Sequence, residues 1–273
     1  MQMRVLTYNI HHWEGTDGKI DVARVTEVIR AAAADIVALN EVYHPVQWPE
    51  QGRPALPAMA EMLGMNWVFG KATEYPWQGQ IEPAGYGNAC LSRWPIRAYA
   101  VHRLAPISGR EPRNLLEVRL ELPDGRPFTV YVTHLDHQSE AVRLAQIRAA
   151  LQWTLRDRER PHLLLGDLNA QSPTDLQRFG QQVEVTASAG AEELTWEEPR
   201  VVPHLLRVGY LDCFTQAGEG EALTWPTSAP QVRIDYIFAS SALATKLRCC
   251  QRWDFPPAAV ASDHFPMLAE FEL

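Results

Sequence analysis

Lysine is scarce in this sequence of 273 residues, being confined to Lys19, Lys71 and Lys246. Acids outnumber Lys and Arg by 33 to 25, which leaves a formal net charge of -8. Wide, sequence-independent binding to a nucleic-acid backbone needs a field of positive charge. Nucleic acid is therefore a disfavoured partner, although a local basic rim can sit on an acidic protein. Cysteine is thin as well. Cys90, Cys213, Cys249 and Cys250 form no C-x-x-C pair, and the adjacent Cys249 and Cys250 are poorly spaced for structural zinc. Ordinary reduced thiols, mostly buried, are expected. No stretch has the length and apolarity of a transmembrane helix. The opening MQMRVLTYNI passes straight into a strand pattern and not into a signal peptide. The expected location is the cytoplasm, and no protein partner is predicted. There is no G-x-x-x-x-G-K-[ST] loop and no Rossmann glycine pattern, which argues against a nucleotide cofactor. Internal repeats and low-complexity linkers are also missing, so residues 1–273 are expected to form one domain.

What is there is a core-sized apolar fraction of 46%, with 20 prolines and 16 glycines to make many turns. Short apolar runs at Arg4 to Ile10 and Ile36 to Leu39 read as buried strands. Between them, Val22, Val25, Val28 and Ile29 have helical spacing, with Asp21 as N-cap or first-turn acid. A second helix is expected through Leu56, Met59 and Leu63, ending near Gly64, followed by a strand at Trp67 to Phe69. Residues 72–87, with Trp77 and three glycines, read as a surface loop. Strands follow at Asn88 to Ser92, Ala98 to Leu104, Asn114 to Glu121 and Pro127 to Thr133, with LPDG as a hairpin turn. Gln138 to Arg158 is a long helix candidate, and His162 to Leu165 another buried strand. Residues 170–232 are loop-rich, with short helices near Leu176 and Leu205, before late strands at Ile234 to Ala239 and Met267 to Leu273.

Polar residues gather where these apolar runs end: Asn9, Asn40, Glu41, His134, Asp167 and Asn169. A layered α/β protein can collect such residues at one rim of its sheets. Glu41 ends a buried strand, and an acid there needs a partner; a hard divalent cation supplies one. In GDLNA, Asp167 and Asn169 could merely build an Asx turn. Equally, the carboxylate can accept from water while the amide donates to phosphate without adding charge.

The segments LTYNIH, ALNEV, CLSRWPI, VTHLDH, LLLGDLNA, RIDYIF and SDHFPM, in that order, resemble the endonuclease/exonuclease/phosphatase (DNase I-like) superfamily across essentially the whole chain. The resemblance implies a four-layer α/β/β/α sandwich with two packed, mainly antiparallel sheets. It implies a metal-dependent phosphoesterase holding Mg2+ or Mn2+, with Glu41 as central ligand and Asp263 and Asn9 beside it. Asn9 could instead contact phosphate. Asp167 would orient or activate the attacking water, or contact a metal, and Asn169 would bind a phosphate oxygen. His264 resembles the general base or the group that stabilises the in-line water, the division of labour with Asp167 staying open, and Asp235 the carboxylate that orients it and supports its positive form. His134 would donate a proton to the leaving group or bond to a phosphoryl oxygen. Arg93 and Arg113 are candidate phosphate clamps, because the guanidinium fork makes two parallel charge-assisted bonds, and the alternative for Arg93 is to brace the sheet edge. His137 could reach substrate, and its neighbour Asp136 could instead cap the following helix. His11 and His12 lack a nearby carboxylate to complete a transition-metal site, so rim or supporting roles are expected.

The expected reaction is in-line attack of water on a phosphodiester or phosphomonoester, with a small or lipid-derived substrate favoured. The alternatives are an endonuclease or exonuclease acting on DNA or RNA, and a binding protein that kept the fold and lost catalysis.

Overall fold

The computed structural model describes residues 1–48, 52–76, 83–179 and 197–273. In chain order the first half forms β1 (Gln2–Asn9), α1 (Val22–Ala32), β2 (Ile36–His44), the short strands β3 (Gln47–Trp48) and β4 (Arg53–Pro54), α2 (Ala55–Leu63), β5 (Asn66–Tyr75) and β6 (Ala84–Ser92). The chain continues as β7 (Ile96–Arg103), β8 (Asn114–Glu121), β9 (Pro127–Thr133), α3 (Glu140–Thr154), β10 (His162–Asp167) and α4 (Pro173–Phe179). It ends with α5 (Val201–Arg207), β11 (Leu211–Asp212), α6 (Cys213–Ala217), β12 (Gly218–Glu219), β13 (Asp235–Ala239), β14 (Leu247–Arg252), α7 (Ala258–Ala261) and β15 (Met267–Glu272).

Among the described residues, one large sheet has the order β12-β14-β15-β1-β2-β6-β5 and the other β11-β13-β10-β9-β8-β7. Most neighbours are antiparallel; β1–β2, β9–β10 and β12–β14 are parallel. Val5, Ile36, Ala38, Val118, Val130 and Leu163 fill the space between the sheets. Leu6, Val37 and Leu39 face α1 and α2 on one outer side, and Leu115, Tyr131 and Leu164 face α3 and α5 on the other. The result is the expected α/β/β/α layering. The same alternation explains it: successive residues of a strand point to opposite faces, so β1 feeds two cores at once.

Local chemistry fixes the element ends. The Asp21 carboxylate accepts from Arg24 N at 2.9 Å and starts α1. Asp136 Oδ1 accepts from Gln138 N and Ser139 N, each at 2.9 Å, so it serves the entry to α3. That helix is shorter than the sequence spacing suggested, and a 3-10 turn at Leu155–Asp157 follows it. Residues 72–76 and 83–87 correct the loop expectation: they belong to β5 and β6, apart from Pro76 and Pro83, and Ala84–Ser92 is buried throughout. Trp77 lies outside the described residues. Two of the glycines that suggested a turn, Gly85 and Gly87, serve close strand packing, and Gly79 lies outside the described residues. A Cβ on Gly87 would lie 2.1 Å from the Gly70 carbonyl oxygen. The strand β14 gave no signal that the sequence reading used.

One buried side chain joins the two sheets at the site end. Asn40 Oδ1 accepts from Asp167 N at 2.9 Å, while Nδ2 donates to Thr133 O at 3.0 Å and Asn88 Oδ1 at 2.7 Å. The chain continues from Asn88 Nδ2 to Asn114 Oδ1 at 2.7 Å and from Asn114 Nδ2 to Gly70 O at 2.8 Å. Asn40→Ala would leave three of these groups unpaired in a fully buried place. The expected loss of stability is about 3 kcal/mol or more by urea unfolding, because each stranded buried group costs about 1–3 kcal/mol. A loss below about 1 kcal/mol would show that the sheets dock without this link.

Candidate active site

The cleft lies where β1, β2, β9 and β10 end. In β2 the register with β6 runs Leu39 to Ala89 and then Val42 to Gly87, so Asn40 and Glu41 together oppose one residue. This bulge puts Glu41 in the left-handed region, at φ 57. Bulges re-aim side chains, and a non-glycine held at such φ stores strain that the surroundings must impose. Here the bulge lets Asn40 point inward to the sheet contact while Glu41 turns toward the cleft mouth, with 19% of its side chain exposed. Asn169 is held likewise at φ 49 in the turn after β10, with its N–H donating to Asp167 Oδ1 at 2.8 Å.

Asp167 Oδ2 is the focal atom. It accepts from Asn9 Nδ2 at 3.0 Å and lies 3.6 Å from His134 Nε2 and 3.8 Å from His264 Nε2. Asn9 Nδ2 also donates to Glu41 Oε1 at 3.0 Å, which ties the mouth carboxylate to the buried one. The Asn9 oxygen accepts from His11 N at 3.0 Å. Asn9 therefore turns its Nδ2 donor toward both carboxylates and links Glu41 to Asp167. Asp263 sits across the mouth, one-third exposed, held by Trp225 Nε1 at 3.1 Å.

The two histidines are in opposite electrostatic settings. Arg113 NH1 donates to His134 Nδ1 at 2.9 Å. A guanidinium can only donate, so Nδ1 accepts; Nε2 lies 3.0 Å from Asn169 Nδ2, where the ring N–H and the amide N–H groups compete for one contact. Burial, and then Arg113, pushes the His134 pKa well below its ordinary range, which keeps this ring neutral. His264 Nδ1 lies 2.9 Å from Asp235 Oδ2. Burial lowers its pKa, but Asp235, Asp263 and Asp167 together outweigh burial and raise it well above the ordinary value. For Asp167, burial and then Asp235 raise the pKa to about 7. Burial pushes Glu41 up, yet His12, His134, Asn9 and His11 together hold it well below the usual carboxylate range.

Two clusters bring three ligand-capable groups within 4.8 Å of one another: His11, His12 and Glu41, and Asp167, Asp235 and His264. The second is fully buried and has its imidazole committed to Asp235, which suits proton handling. The first stands at the open mouth and has an ionised carboxylate, with Asp263 Oδ1 3.9 Å from His11 Nδ1. This donor set of carboxylate oxygen and imidazole nitrogen fits a hard to borderline divalent cation. The expectation that no carboxylate completes the His11–His12 pair is corrected: Glu41 arrives from the neighbouring parallel strand. His11, His12 and Trp13 all have positive φ, at 41, 45 and 66. The buried Trp13 anchors this turn.

The remaining candidates divide. Arg113 is buried behind His134 and is paired to Glu111 Oε1 at 2.6 Å, so it acts on the site through that ring. Arg93 corrects the clamp expectation. Its backbone N–H donates to Asp35 O, and its guanidinium, 47% exposed, lies 3.6 Å from Asp35 Oδ1. Asp35 precedes β2, at the end opposite Glu41. The six steps from Asp35 to Glu41 span roughly 20 Å at ~3.3 Å each, too far to reach a phosphate in the cleft. His137 is partly exposed, lies 3.2 Å from Gln138 Nε2, and is one of the charged groups that act on His134. Sequence reasoning missed Ser262, which donates to Asn9 O at 2.8 Å and accepts from His264 N at 3.2 Å. Trp225 was also missed; nothing in its local sequence marks it as a partner of Asp263.

A family model for the Endonuclease/Exonuclease/phosphatase family matches residues 6–264. The chain belongs to this family. Its chemistry is accordingly metal-dependent phosphoester hydrolysis. The chain is 28% identical to the uncharacterized protein YbhP of Escherichia coli, over 99% of this chain and 96% of that protein. An endonuclease/exonuclease/phosphatase from Beutenbergia cavernae superposes with a TM-score of 0.76 at 25% identity, covering 100% of this chain and 72% of the other. A mannosyl-6-phosphatase from Bacteroides thetaiotaomicron gives a TM-score of 0.68 at 16% identity, covering 99% and 100%. Among the described residues no helix is long and apolar enough to cross a membrane.

Two predictions follow from the geometry. Arg93→Ala should leave metal-dependent turnover within about twofold of wild type; a loss of tenfold, about 1.4 kcal/mol, would place Arg93 back in the reaction. Asp167 gives a pH signature. Its folded pKa is raised from 3.8 to about 7, so the folded chain keeps a proton that the unfolded chain has lost. Stability from this group is complete below 3.8 and is lost as pH rises through about 7. Asp167→Asn cannot ionise. In chelator, the thermal midpoint of the variant relative to wild type should rise between these pH values. A constant difference would show that Asp167 titrates normally.

Proposed function

We propose that the protein hydrolyses a small phosphoester by in-line attack of water, with Mg2+ or Mn2+ held at the cleft mouth by Glu41 and Asp263. The observation that carries this is the convergence on Asp167 Oδ2 of Asn9, a neutral His134 and a positively charged His264. The bound cation would screen phosphate charge and stabilise the leaving oxygen, and His11 and His12 are placed to share it. Asp167 is the better-matched proton acceptor for water, because a base acts best with its pKa near the working pH. His264 is already protonated beside three carboxylates. It balances their charge and donates from Nε2 toward the attacked phosphoryl group. His134, with its proton on Nε2, donates to a phosphoryl or leaving oxygen, and the Asn9 and Asn169 amides supply further donors without adding charge. Arg113 fixes the His134 tautomer. The site draws on residues from Asn9 to His264, which supports reading residues 1–273 as one domain.

The acidic surface favours a small substrate over a polynucleotide. The mannosyl-6-phosphatase among the structural neighbours puts sugar phosphates high on the panel. The test is turnover by chelator-stripped protein, with Mg2+ or Mn2+ restored, against sugar and inositol phosphates, sphingomyelin, bis-p-nitrophenyl phosphate, RNA, and intact, abasic and single-stranded DNA. Glu41→Ala and His264→Ala should each lower the rate by about 100-fold or more. Metal-dependent turnover that survives in both variants would sink the proposed assignment of roles, and best turnover on DNA or RNA would replace the small substrate.

A further inference from the structure

A groove of about 680 Å³ opens beside the cleft, between the end of β5 and the segment joining β7 to β8. Its size suits a small organic ligand. Leu104, Pro106 and Ile107 give it an apolar floor, and Lys71, Arg103, Arg110 and Arg113 give it four cationic groups against two carboxylates. Both carboxylates are already engaged. Glu74 pairs with Lys71, while Glu111 pairs with Arg113 and accepts from Tyr75 OH at 2.9 Å. Arg103 and Arg110 have no carboxylate partner among the described residues, and Arg110 NH1 is enclosed without a hydrogen-bond partner. Two guanidiniums that no described carboxylate pairs with, facing one groove, stand out on a chain of net charge -8.

The groove adjoins the cleft through one buried side chain. Arg113 lines it and also donates to His134. Arg103 pairs with Asn114 across β7 and β8, and Leu115 pairs with Thr133 across β8 and β9. Arg103 is therefore two strand spacings from His134, roughly 10 Å at ~4.8 Å per spacing. Guanidinium is suited to phosphate because its fork makes paired, charge-assisted bonds.

We propose that this groove is a second anion subsite: the substrate is an elongated phosphoester whose far end bears another phosphate about 10 Å from the scissile one, bound by Arg103 and Arg110. This assignment rests on the phosphoesterase reading of the neighbouring cleft. The hydrocarbon or sugar body between the two phosphates lies over the apolar floor.

The test is calorimetric binding to the Mn2+-loaded protein of two non-hydrolysable probes, an eight-carbon α,ω-bisphosphonate and the corresponding monophosphonate. Wild type should bind the bisphosphonate about tenfold more tightly, as expected for one added charge-assisted contact. Arg103→Ser/Arg110→Ser should erase that difference and leave the monophosphonate affinity unchanged. Arg103→Glu, at an exposed strand end, should do the same without disturbing the fold. Equal affinities in wild type, or a preference that survives in the variants, would overturn the proposal. So would single-stranded DNA binding that needs both arginines in the absence of any preference between the phosphonates, which would assign the groove to a nucleic-acid backbone. Hydrolysis of bis-p-nitrophenyl phosphate is followed in parallel. Its loss in Glu41→Ala supports the cleft chemistry, and its absence in wild type overturns that chemistry while the phosphonate comparison still decides the groove.

Discussion

The amide of Asn40 carries the geometry of the site. A carboxamide has donors and acceptors at once, so a single buried group can bond to Thr133 in β9, Asp167 in β10 and Asn88 in β6. No apolar residue could fill that place without stranding backbone polar groups. The contact sets how far apart the sheet ends stand, and hence the distance from Glu41 on one sheet to Asp167 on the other. Gly166 makes the approach possible: at φ 137, a Cβ would lie 1.8 Å from Thr133 O and 3.2 Å from Asn40 Oδ1. The GDLN segment thus needs its glycine for sheet packing as much as its polar residues need their positions.

Around this fixed point the chain holds unusual conformations. Glu41, Asn169 and the His11–Trp13 turn all lie in the left-handed region without glycine. Each sits where a strand has just ended or bulged, and each is anchored by neighbours: Asn9 for Glu41, Asp167 for Asn169, the buried Trp13 for its own turn. Rigid strands supply the anchoring, and short irregular segments supply the direction in which the side chains point.

Charge is partitioned with similar economy. Asp167, Asp235 and Asp263 surround one imidazole and keep it cationic; Arg113 stands behind the other and keeps it neutral. Two chemically identical side chains thereby acquire different proton inventories in one cleft, through burial and neighbours alone. The remaining carboxylate, Glu41, is left ionised at the mouth, where a cation can reach it.

Much of this could be read from the chain alone. Helical spacing from Val22 and the apolar runs at Arg4 to Ile10 and before Asn40 and Asp167 reveal helices and strands, because burial selects apolar residues and, in a helix, imposes a period on them. The ordered motifs from LTYNIH to SDHFPM reveal the family and name most of the polar cluster. Long-range pairing was not legible. Arg93 stands in a family segment yet folds to the far end of its strand, and only the antiparallel register of β2 and β6 shows it. Glu41 joins His11 and His12 only because β1 and β2 run parallel and a bulge redirects one side chain. The glycines of β6 look like turn residues until the neighbouring carbonyls are placed. Sequence determines which chemistry each segment can offer, since residue type and period are local. Tertiary structure decides which segments meet, since register, bulges and sheet packing depend on residues far apart in the chain.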